Sequence, residues 1–468
     1  MEPLATPAAQ GDLRFDPDLI RKYDGFGPRY TSYPTADRFH AGFTAADYVD
    51  ALAARNHAAP AQPLSLYVHL PFCNTICYYC ACNKVVTRDK SQSAKYIKYL
   101  DKELALLAPL LGGERALHEL HWGGGTPNFL AGDEMAALVH AIEARLGRAP
   151  RSQYSIEIDP RSAEPGMMNL LGDLGFDRVS LGVQDFDAAV QKAVHRVQSV
   201  ETTARVIDEA RASGFRSVNL DLIYGLPKQT LDSFNRTLDE VLRLAPDRVA
   251  LYNYAHLPKL FKPQRRIVEA ELPSPEVKRE LMTLAIGRLT RAGYLYIGMD
   301  HFARPEDELA QVQSRGGLAR SFQGYSTHAG DLLGLGMSAI GQVGAAYYQN
   351  VKELAGYYAA LDAGRLPVLR GLALGADDLV RRAVIQALMC NFRVSLEAIE
   401  LAHLIEFRHY FAPELRDLRR LADDGLVELG PEWITVTPRG RLLVRAICMV
   451  FDRHLREARE RASYSRVI

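Results

Sequence analysis

Residues 66–82 read Leu66-Tyr-Val-His-Leu-Pro-Phe-Cys73-Asn-Thr-Ile-Cys77-Tyr-Tyr-Cys80-Ala-Cys82, and the rest of the chain is organised around this stretch. It holds four of the six cysteines, in the spacing C-x3-C-x2-C-x-C. The residues from 64 to 70 predict a short β-strand, which Pro71 ends. We therefore expect the cysteines in a loop at the carboxyl end of a strand, where ligand and catalytic groups collect in parallel α/β folds.

Thiolates at such short spacing can converge on one metal centre. Zinc would take four nitrogen or sulfur ligands, and a [4Fe–4S] cluster is commonly held by four cysteines. Because Cys80 and Cys82 are only two residues apart, they are hard to place on one cluster together, and Cys73, Cys77 and Cys80 make the better set. Three ligands would leave one iron open to a substrate or cofactor. A structural zinc site is the alternative, and a disulfide is disfavoured in a chain that we expect to be intracellular.

Composition describes an ordinary globular protein of more than one domain, or of one large domain with additions. The chain has 468 residues, of which 48% are hydrophobic and 24% charged. Its 56 basic and 56 acidic residues cancel, which argues against broad electrostatic binding of nucleic acid or of an anionic membrane. Neither a run of 18 apolar residues nor a signal peptide is apparent, so we expect a cytoplasmic protein.

From residue 65 onward, short β-branched or aromatic runs alternate with amphipathic stretches. The predicted strands cover residues 65–70, 119–122, 155–158, 178–183, 217–223, 248–254 and 294–298. Helical apolar spacing covers residues 95–110, 133–146, 200–213 and 231–244. Repeated β-then-α units predict a parallel sheet. Six or so units are too few for an eight-fold barrel and favour an α/β fold with an open, partial (β/α)6 TIM-like barrel.

Polar and glycine-rich motifs follow the predicted strands, so all of them would face one mouth of the barrel. Gly123-Gly-Gly-Thr-Pro127 would let backbone groups approach a ligand closely, although a plain turn is the alternative. Glu157 lies in an otherwise apolar strand, where an inward carboxylate is costly unless paired. Gln184 and Asp221 lie at or near later strand ends and can hydrogen-bond a polar ligand. Arg196, in a connecting segment, can pair with a carboxylate or simply lie on the surface.

The C-x3-C-x2-C loop after a strand resembles the signature loop of the radical S-adenosylmethionine (SAM) superfamily. Two further features restrict the resemblance to one family of this superfamily: the extra Cys82 and the run Pro28-Arg-Tyr-Thr-Ser-Tyr-Pro34. From about residue 15 to residue 468, the chain resembles the family of oxygen-independent coproporphyrinogen III oxidases. This resemblance implies a [4Fe–4S] cluster on Cys73, Cys77 and Cys80, with SAM chelating the fourth iron.

The resemblance also implies roles for individual residues. Catalytic roles fall to Tyr67 and to Cys82, which would assist the radical step or the electron transfer. Contacts with SAM fall to Tyr67, Tyr79, Gly124, Gly125, Thr126, Glu157, Gln184, Arg196, Asp221, Ala255 and Ile340, the last of them at a second SAM molecule. Tyr79 departs from the family pattern, which usually has phenylalanine there, and adds a hydroxyl group.

The implied chemistry is a step of haem biosynthesis. An electron from the cluster cleaves SAM to methionine and a 5′-deoxyadenosyl radical, which takes a β-hydrogen from a propionate of coproporphyrinogen III. Loss of one electron and CO2 leaves a vinyl group, and two rounds on rings A and B give protoporphyrinogen IX. The implied partners are an electron donor such as a flavodoxin or ferredoxin system and an electron acceptor, and we expect a monomer. The alternatives are a haem-binding chaperone on the same scaffold and a zinc-stabilised binding module.

The sequence divides into an N-terminal arm and lead-in (residues 1–60), the barrel with an extension (61–370) and a helical cap with a β-hairpin (371–468). The lead, residues 1–14, is predicted to be disordered. Arg29 in the arm is a candidate partner for a substrate carboxylate. His301 and Arg304 are candidates for proton handling or propionate binding. A winged helix is the alternative for the last segment, but its charges balance and predict no DNA-binding face.

Overall fold

The computed structural model describes residues 13, 16–23, 25, 27–58, 62–113 and 115–457. Except for residue 13, the predicted disordered lead lies outside the described residues. The described chain forms two compact units. The barrel unit comprises residues 39–292 and 330–373, and the C-terminal unit comprises the described residues within 1–38, 293–329 and 374–468. The three-part division of the sequence stays a proposal.

The barrel unit contains twelve strands and nine helices among its described residues. Its strands are β1 (Leu64–Leu70), β2 (Phe72–Cys73), β3 (Val85–Val86), β4 (Leu117–Gly124), β5 (Arg148–Ile158), β6 (Arg178–Gln184), β7 (Ser217–Tyr224), β8 (Arg248–Asn253), β13 (Asp331–Leu335), β14 (Ile340–Val343), β15 (Ala346–Asn350) and β16 (Val368–Ala373). Its helices are α2 (Ala45–Asn56), α3 (Ser91–Leu107), α4 (Gly132–Leu146), α5 (Met167–Asp173), α6 (Ala188–Ala193), α7 (Val200–Ala212), α8 (Leu231–Leu244), α9 (Pro275–Arg291) and α11 (Leu354–Asp362).

The main sheet of the barrel unit confirms the predicted partial barrel. Its order is β16-β15-β14-β13-β1-β4-β5-β6-β7-β8. The six strands β1 and β4 to β8 are parallel and alternate along the chain with helices, as expected for (β/α)6. A seventh parallel strand, β13, adds beside β1, and β14, β15 and β16 continue antiparallel. Sequence reasoning missed these last four strands.

Three of the four missed strands, β13 to β15, lie in a glycine-dense segment, which weakens a strand pattern because glycine has low β-propensity. The glycines serve tight strand packing. A Cβ atom at Gly334 would lie 2.7 Å from the main-chain oxygen of Ile340, and one at Gly341 would lie 2.3 Å from the ring of Tyr348. Of the two explanations for this glycine density, close ligand approach and tight packing, the contacts support packing at these two positions.

The two faces of the parallel strands differ sharply in polarity. On one face, Leu66, Trp122 and Ile156 are fully buried, in line with the apolar faces of the helices. Burial of such a side chain contributes roughly 1.5–3 kcal/mol. The register places polar residues side by side on the other face, which we call the polar face: Ser65, Tyr67, His69, Glu119, His121, Gln153, Ser155, Glu157, Ser180, Asn219 and Asp221. Glu157 therefore belongs to a polar row and does not interrupt an apolar strand.

Side-chain caps start several helices directly after the strand ends, which keeps the functional loops short. The Asp187 carboxylate accepts from the main-chain nitrogens of Ala189 and Val190 at the start of α6. Thr230 Oγ1 accepts from the Ser233 nitrogen at the start of α8, which begins at Leu231 as predicted. Such a cap is worth about 1 kcal/mol because it satisfies a donor that has no partner within the helix.

The C-terminal unit is mainly helical. Its elements are α1 (Pro17–Tyr23), β9 (Leu295–Gly298), β10 (His301–Ala303), α10 (Glu308–Ser314), β11 (Ala319–Ser321), β12 (Gly324–Ser326), α12 (Ala376–Asn391), β17 (Arg393–Ser395), α13 (Leu396–His403), α14 (Phe407–Tyr410), α15 (Ala412–Asp423), β18 (Val427–Leu429), β19 (Trp433–Val436), α16 (Val444–Met449) and α17 (Arg453–Glu457). The predicted hairpin is present as β18 and β19, and β17 makes it a three-stranded sheet.

The last predicted strand is confirmed as a strand, but its pairing is antiparallel and not parallel. The strand predicted at 294–298 exists as β9, but it forms an antiparallel hairpin with β10 in the C-terminal unit. Its aromatic and β-branched composition indicates a strand, yet composition does not distinguish parallel from antiparallel pairing. No helix among the described residues is long and apolar enough to span a membrane.

Candidate active site

The cysteine loop is closed at its base by main-chain hydrogen bonds. Short strands β2 and β3 pair in parallel, and the nitrogen of Val85 donates to the oxygen of Pro71 at 2.8 Å. Cys73 and Cys77 are buried, Cys80 is half-buried and Cys82 is exposed. The three favoured ligands are thus enclosed to different degrees, and the fourth cysteine meets solvent.

The glycine loop after β4 packs directly on the root of the cysteine loop. The nitrogen of Gly125 donates to the Leu70 oxygen at 2.8 Å, and a Cβ atom at Gly125 would lie 2.5 Å from the Pro71 oxygen. Gly124 has a φ of +113°, which disfavours any side chain there. Thr126 Oγ1 donates to Cys73 Sγ at 3.4 Å. These glycines therefore fix the distance between two loops that both follow strand ends.

Two arginines approach Cys77, and one carboxylate lies between them. Arg161 Nη2 and Arg196 Nη1 each donate to Cys77 Sγ at 3.6 Å. Asp159 accepts from both, at 2.6 Å from Arg161 and 3.3 Å from Arg196. Burial raises the pKa of Asp159, but the two guanidinium groups outweigh it and the net shift is downward. Asp159 therefore offsets part of the positive charge of the two guanidinium groups that contact Cys77.

The surroundings of Cys73 and Cys80 shift the pKa values of these two thiols in opposite directions. Burial raises the pKa of Cys73 to about 11. Cys82 donates a hydrogen bond to Cys80, which is the largest cause of a fall in the pKa of Cys80 to about 6. Lys84 lies beside the same loop and donates to the main-chain oxygens of Cys80 and Cys82 at 3.4 and 3.3 Å.

A linked set of side chains lies on the polar face below the glycine loop. The hydroxyl of Tyr67 lies 3.1 Å from His69 Nδ1, and its ring stacks on that of His121 at a centroid distance of 5.8 Å. His121 Nε2 lies 3.5 Å from Glu157 Oε1, and the Gly124 nitrogen donates to Glu157 Oε2 at 3.3 Å. Burial raises the pKa of Glu157, but His121 and the Gly124 amide outweigh it and keep the carboxylate ionised.

Farther along the sheet, Asp221 and Gln184 occupy unusual environments. Asp221 accepts from Ser180 at 3.1 Å and from Asn219 at 2.8 Å. Burial and the neighbouring Glu157 raise the pKa of Asp221 to about 7. Gln184 has a φ of +68° at the end of β6, a strained backbone state that occurs often at ligand sites.

The remaining predicted residues lie at the loop of Tyr79 and on β14. Gln264 connects two of them, because its Nε2 donates to the main-chain oxygens of Tyr79 at 3.0 Å and of Ala255 at 3.2 Å. The Tyr79 side chain packs against an apolar cluster that includes Val190 and Leu226. Ile340, the first residue of β14, pairs with Gln349.

Sequence reasoning missed several residues of the site: His69, His121, Asp159, Arg161 and Gln264. A weak signal existed for Asp159, which follows Glu157 by two residues and so lies on the same side of the strand end. His69 and His121 show the same spacing of two, from Tyr67 and Glu119 respectively. No local pattern identifies Gln264, because its role depends on two loops that are distant in sequence.

Comparison with known proteins agrees with this geometry. Residues 67–241 match the description of the Radical SAM superfamily, and residues 374–443 match the HemN C-terminal domain. The chain is 52% identical over 459 residues to the oxygen-independent coproporphyrinogen III oxidase of Pseudomonas aeruginosa, covering 97% of this chain and 99% of that protein. The solved structure of HemN from Escherichia coli, described as a radical SAM enzyme, matches with a TM-score of 0.90 and 46% identity over 95% of this chain and 100% of that chain.

The chain belongs to the oxygen-independent coproporphyrinogen III oxidase family. The enzyme of this name from Escherichia coli is 47% identical, over 97% of this chain and 99% of that protein. As a member of the radical SAM superfamily, this oxidase family uses a [4Fe–4S] cluster and SAM.

The residues present fit that cluster, because a [4Fe–4S] cluster is held by cysteine thiolates, each on a separate iron. Cys73, Cys77 and Cys80 are near enough to interact electrostatically. Arg196 is 6% exposed and its Nε has no hydrogen-bond partner among the described residues, which leaves a buried donor for a ligand.

Proposed function

We propose that this protein catalyses the oxidative decarboxylation of the ring A and ring B propionates of coproporphyrinogen III to vinyl groups, giving protoporphyrinogen IX. The observation that carries the proposal is the set of Cys73, Cys77 and Cys80 beside two arginines, Arg161 and the buried Arg196. The chain is 52% identical to a named enzyme over 97% of its length. Each round removes a hydrogen atom and one further electron from a propionate and releases CO2.

The chain's own residues would hold the cofactors. Cys73, Cys77 and Cys80 would bind three irons of a [4Fe–4S] cluster, which with SAM supplies the hydrogen-abstracting 5′-deoxyadenosyl radical. The guanidinium groups of Arg161 and Arg196 offset the negative charge of such a centre at Cys77, a stabilisation that is strong because both groups are largely out of water. Thr126 keeps the Cys73 sulfur oriented by its hydrogen bond.

The polar face would bind and orient SAM. The ionised Glu157 suits the methionyl ammonium group, and it also fixes the Gly124 amide. Asp221 and Gln184 suit hydroxyl groups, since a carboxylate accepts and an amide both donates and accepts. Gln264 keeps the main chain of Tyr79 and Ala255 in place for an adenine. A second SAM at Ile340 remains part of the proposal.

Two residues are proposed to act in catalysis. The Tyr67 hydroxyl lies against His69, and its ring lies against His121, so its orientation is fixed from two sides. Cys82 is the one cysteine of the loop that is exposed, and its thiol lies against Cys80. Cys82 would assist the radical step or the transfer of an electron.

The proposed partners follow from the balance of the reaction. Reductive cleavage of SAM consumes an electron, so a donor of the flavodoxin or ferredoxin type is proposed, and the electron left on the substrate requires an acceptor. A monomeric chain and a cytoplasmic location, without nucleic-acid or membrane binding, complete the proposal.

The decisive experiment is anaerobic reconstitution with iron and sulfide, followed by incubation with SAM, a reductant and coproporphyrinogen III. Protoporphyrin, measured by fluorescence after oxidation, should accumulate together with 5′-deoxyadenosine. Cys73→Ala should abolish both products. Cys448→Ala is the matched control, because that buried thiol lies in the C-terminal unit and should retain both.

Three other results would redirect the proposal. Deoxyadenosine without any vinyl product would mean a radical enzyme with another substrate. Neither product, despite intact iron–sulfur absorbance, would favour a haem-binding protein on this scaffold. A colourless protein that contains zinc and no iron would favour a zinc-stabilised module.

A further inference from the structure

The C-terminal unit contains a cluster of arginines around one buried tyrosine. Tyr296 on β9 is 8% exposed. Four arginines lie close enough to interact electrostatically with its hydroxyl: Arg29, Arg320, Arg441 and Arg445. We call these four residues the arginine cluster. They come from the N-terminal arm, from β11 and from the segment around α16, so the fold brings them together from distant parts of the sequence.

Aromatic rings connect the members of the cluster. The Arg320 guanidinium lies 4.9 Å from the ring centroid of Tyr325, and the Arg441 guanidinium lies 5.1 Å from that of Phe392. The Phe392 ring stacks on Tyr296 at 6.2 Å. A Cβ atom at Gly298 would lie 2.7 Å from the Tyr325 hydroxyl and 3.3 Å from the Phe392 ring. Arg320 and Arg441 therefore lie beside one connected group of aromatic rings, Tyr296, Tyr325 and Phe392.

The positive charge of this site exceeds the negative charge around it. Arg29 forms an ion pair with Asp300, and Arg445 donates to the main-chain oxygens of Gly27 and Pro28. Arg320 and Arg441 have no ion pair with any described carboxylate. Arg320 is 6% exposed, and its Nε and Nη1 have no hydrogen-bond partner among the described residues. The Nε of Arg441 is likewise buried without a described partner.

An uncompensated buried guanidinium is costly, so a fold retains one only when something else supplies the opposite charge. Burial lowers the pKa of Arg441, which is the direction expected where no anion is present. A guanidinium fork matches a carboxylate with two parallel hydrogen bonds. The rings of Tyr325 and Phe392 lie against the guanidinium groups of Arg320 and Arg441, which holds these cations in place.

We propose that the arginine cluster binds side-chain carboxylates of the tetrapyrrole substrate, with Arg320 and Arg441 as the direct partners. This inference rests on the proposed function, because the substrate's propionates are the anions it invokes. Arg29 and Arg445 then act as positioning residues. Arg445 holds the arm through its main-chain oxygens, and the arm presents Arg29.

The test uses the full chain and coproporphyrin III, the stable oxidised form of the substrate, whose fluorescence reports binding. Arg320→Met and Arg441→Met each remove one guanidinium and keep an unbranched apolar stem. Each should raise the dissociation constant about 10- to 100-fold, the range for a hydrogen bond to a charged group. Arg419→Met is the matched control, because Arg419 is exposed on α15 in the same unit and should leave the constant unchanged.

Turnover separates failure of this site from failure of the proposed function. With reconstituted enzyme, both cluster variants should raise KM for coproporphyrinogen III while cleavage of SAM in the absence of substrate stays at the wild-type rate. Wild-type turnover with unchanged KM and porphyrin affinity in both variants would overturn the arginine cluster and leave the proposed function standing. Wild-type protein that neither binds the porphyrin nor converts the porphyrinogen would overturn both.

A competition arm identifies the source of the anion. Inorganic phosphate at millimolar concentration should displace coproporphyrin III weakly or not at all. If phosphate binds the wild type as tightly as the porphyrin does, and Arg320→Met abolishes both, the occupant is a free anion and the carboxylate assignment is wrong. Circular dichroism and thermal unfolding of each variant verify that weaker binding does not reflect misfolding.

Discussion

Two groups of arginines in this protein, each with one buried member, differ in how their charge is balanced. In the barrel unit, Arg161 and Arg196 share the carboxylate of Asp159 and point at the sulfur of Cys77. In the C-terminal unit, Arg320 and Arg441 have no described carboxylate partner. Arg196 and Arg320 are equally inaccessible, each 6% exposed.

The effect of burial on the two groups shows the difference. Burial alone lowers the pKa of an arginine, yet Tyr79, Asp159 and Cys77 outweigh it at Arg196 and the net shift is upward. At Arg441 the net shift is downward, because burial is opposed only by Tyr296. Among the residues that the structure describes, Asp159 and Cys77 accept from the first group, and only the Nε of Arg196 is buried without a partner. The second group needs a ligand to balance its charge. A charge that the fold leaves unbalanced thus indicates where external charge is bound.

The largest expected effect comes from removing the sulfur that the first group of residues surrounds. Cys77→Ala should prevent assembly of the iron–sulfur centre, since two thiolates would remain of three, and product formation should fall to background. Iron and sulfide content and the visible absorbance of reconstituted protein measure this. Cys390→Ala is the matched control. It also removes a buried thiol, but one in α12, and should bind iron as the wild type does.

A smaller effect is expected from removing the shared carboxylate while keeping its shape. Asp159→Asn leaves two largely buried guanidinium groups without their anion, so the barrel unit should lose about 3–5 kcal/mol of unfolding free energy. Denaturant unfolding of the protein without its cluster measures this loss.

The control for that variant is Asp362→Asn. Asp362 pairs with Lys102 at 2.6 Å, but both side chains are about half exposed, at 51% and 49%. Because solvent screens an exposed pair, Asp362→Asn should change the unfolding free energy little. Equal losses in the two variants would mean that Asp159 does not neutralise Arg161 and Arg196 as the distances indicate.

The sequence predicted the barrel unit better than the C-terminal unit, for physical reasons. In βα units each strand is followed by its own helix, so local periodicity specifies the topology, as at α8, which begins at Leu231 and ends at Leu244 as predicted. Pairing that is not local has no such signal. The strands of 331–350 were missed because glycines obscure them, and the strand at 294–298 was assigned to the wrong kind of pairing.

Site residues, like strands, could be predicted where they lie in one contiguous motif and not where distant segments meet. The cysteine and glycine motifs are contiguous, so Cys73 and Thr126 were found, and the structure places them 3.4 Å apart. The arginine cluster joins residues more than four hundred positions apart, and only Arg29 is a candidate from the sequence. An isolated arginine looks like any surface arginine until its burial is known, which is why Arg320 and Arg441 were not identified.

The carboxyl group of Asp221 should make the unfolding free energy of the protein depend on pH. Burial and Glu157 raise the pKa of Asp221 to about 7, above its value in the unfolded chain. The folded state therefore binds a proton that the unfolded state releases, and unfolding free energy should fall as the pH rises from about 4 to 7. Asp221→Asn should remove a part of this slope on the order of 2–3 kcal/mol across that range.

A second carboxyl group, that of Glu103, should contribute to the same fall in stability with rising pH. Its contribution must be subtracted when wild type and Asp221→Asn are compared. Glu103, which accepts from Gly336, Asn350 and Tyr357, also has a pKa raised to about 7 by burial. Its slope should persist in Asp221→Asn. Denaturant titrations at several pH values would test this, and parallel curves for wild type and variant would show that Asp221 is ionised in the folded protein.

The smallest expected effect is a gain in stability, in contrast to the losses predicted above. It tests directly whether the two arginine groups differ in charge balance. Without ligand, Arg320→Met should stabilise the protein by about 1–2 kcal/mol, because it replaces an unbalanced buried charge by an apolar side chain. Arg55→Met provides the contrast: Arg55 is as deeply buried but donates to Asp331 at 2.8 Å, so its removal should destabilise the protein. Thermal unfolding measures both. Destabilisation by Arg320→Met of the size seen for Arg55→Met would mean that Arg320 supports the fold and that no ligand is needed to balance its charge.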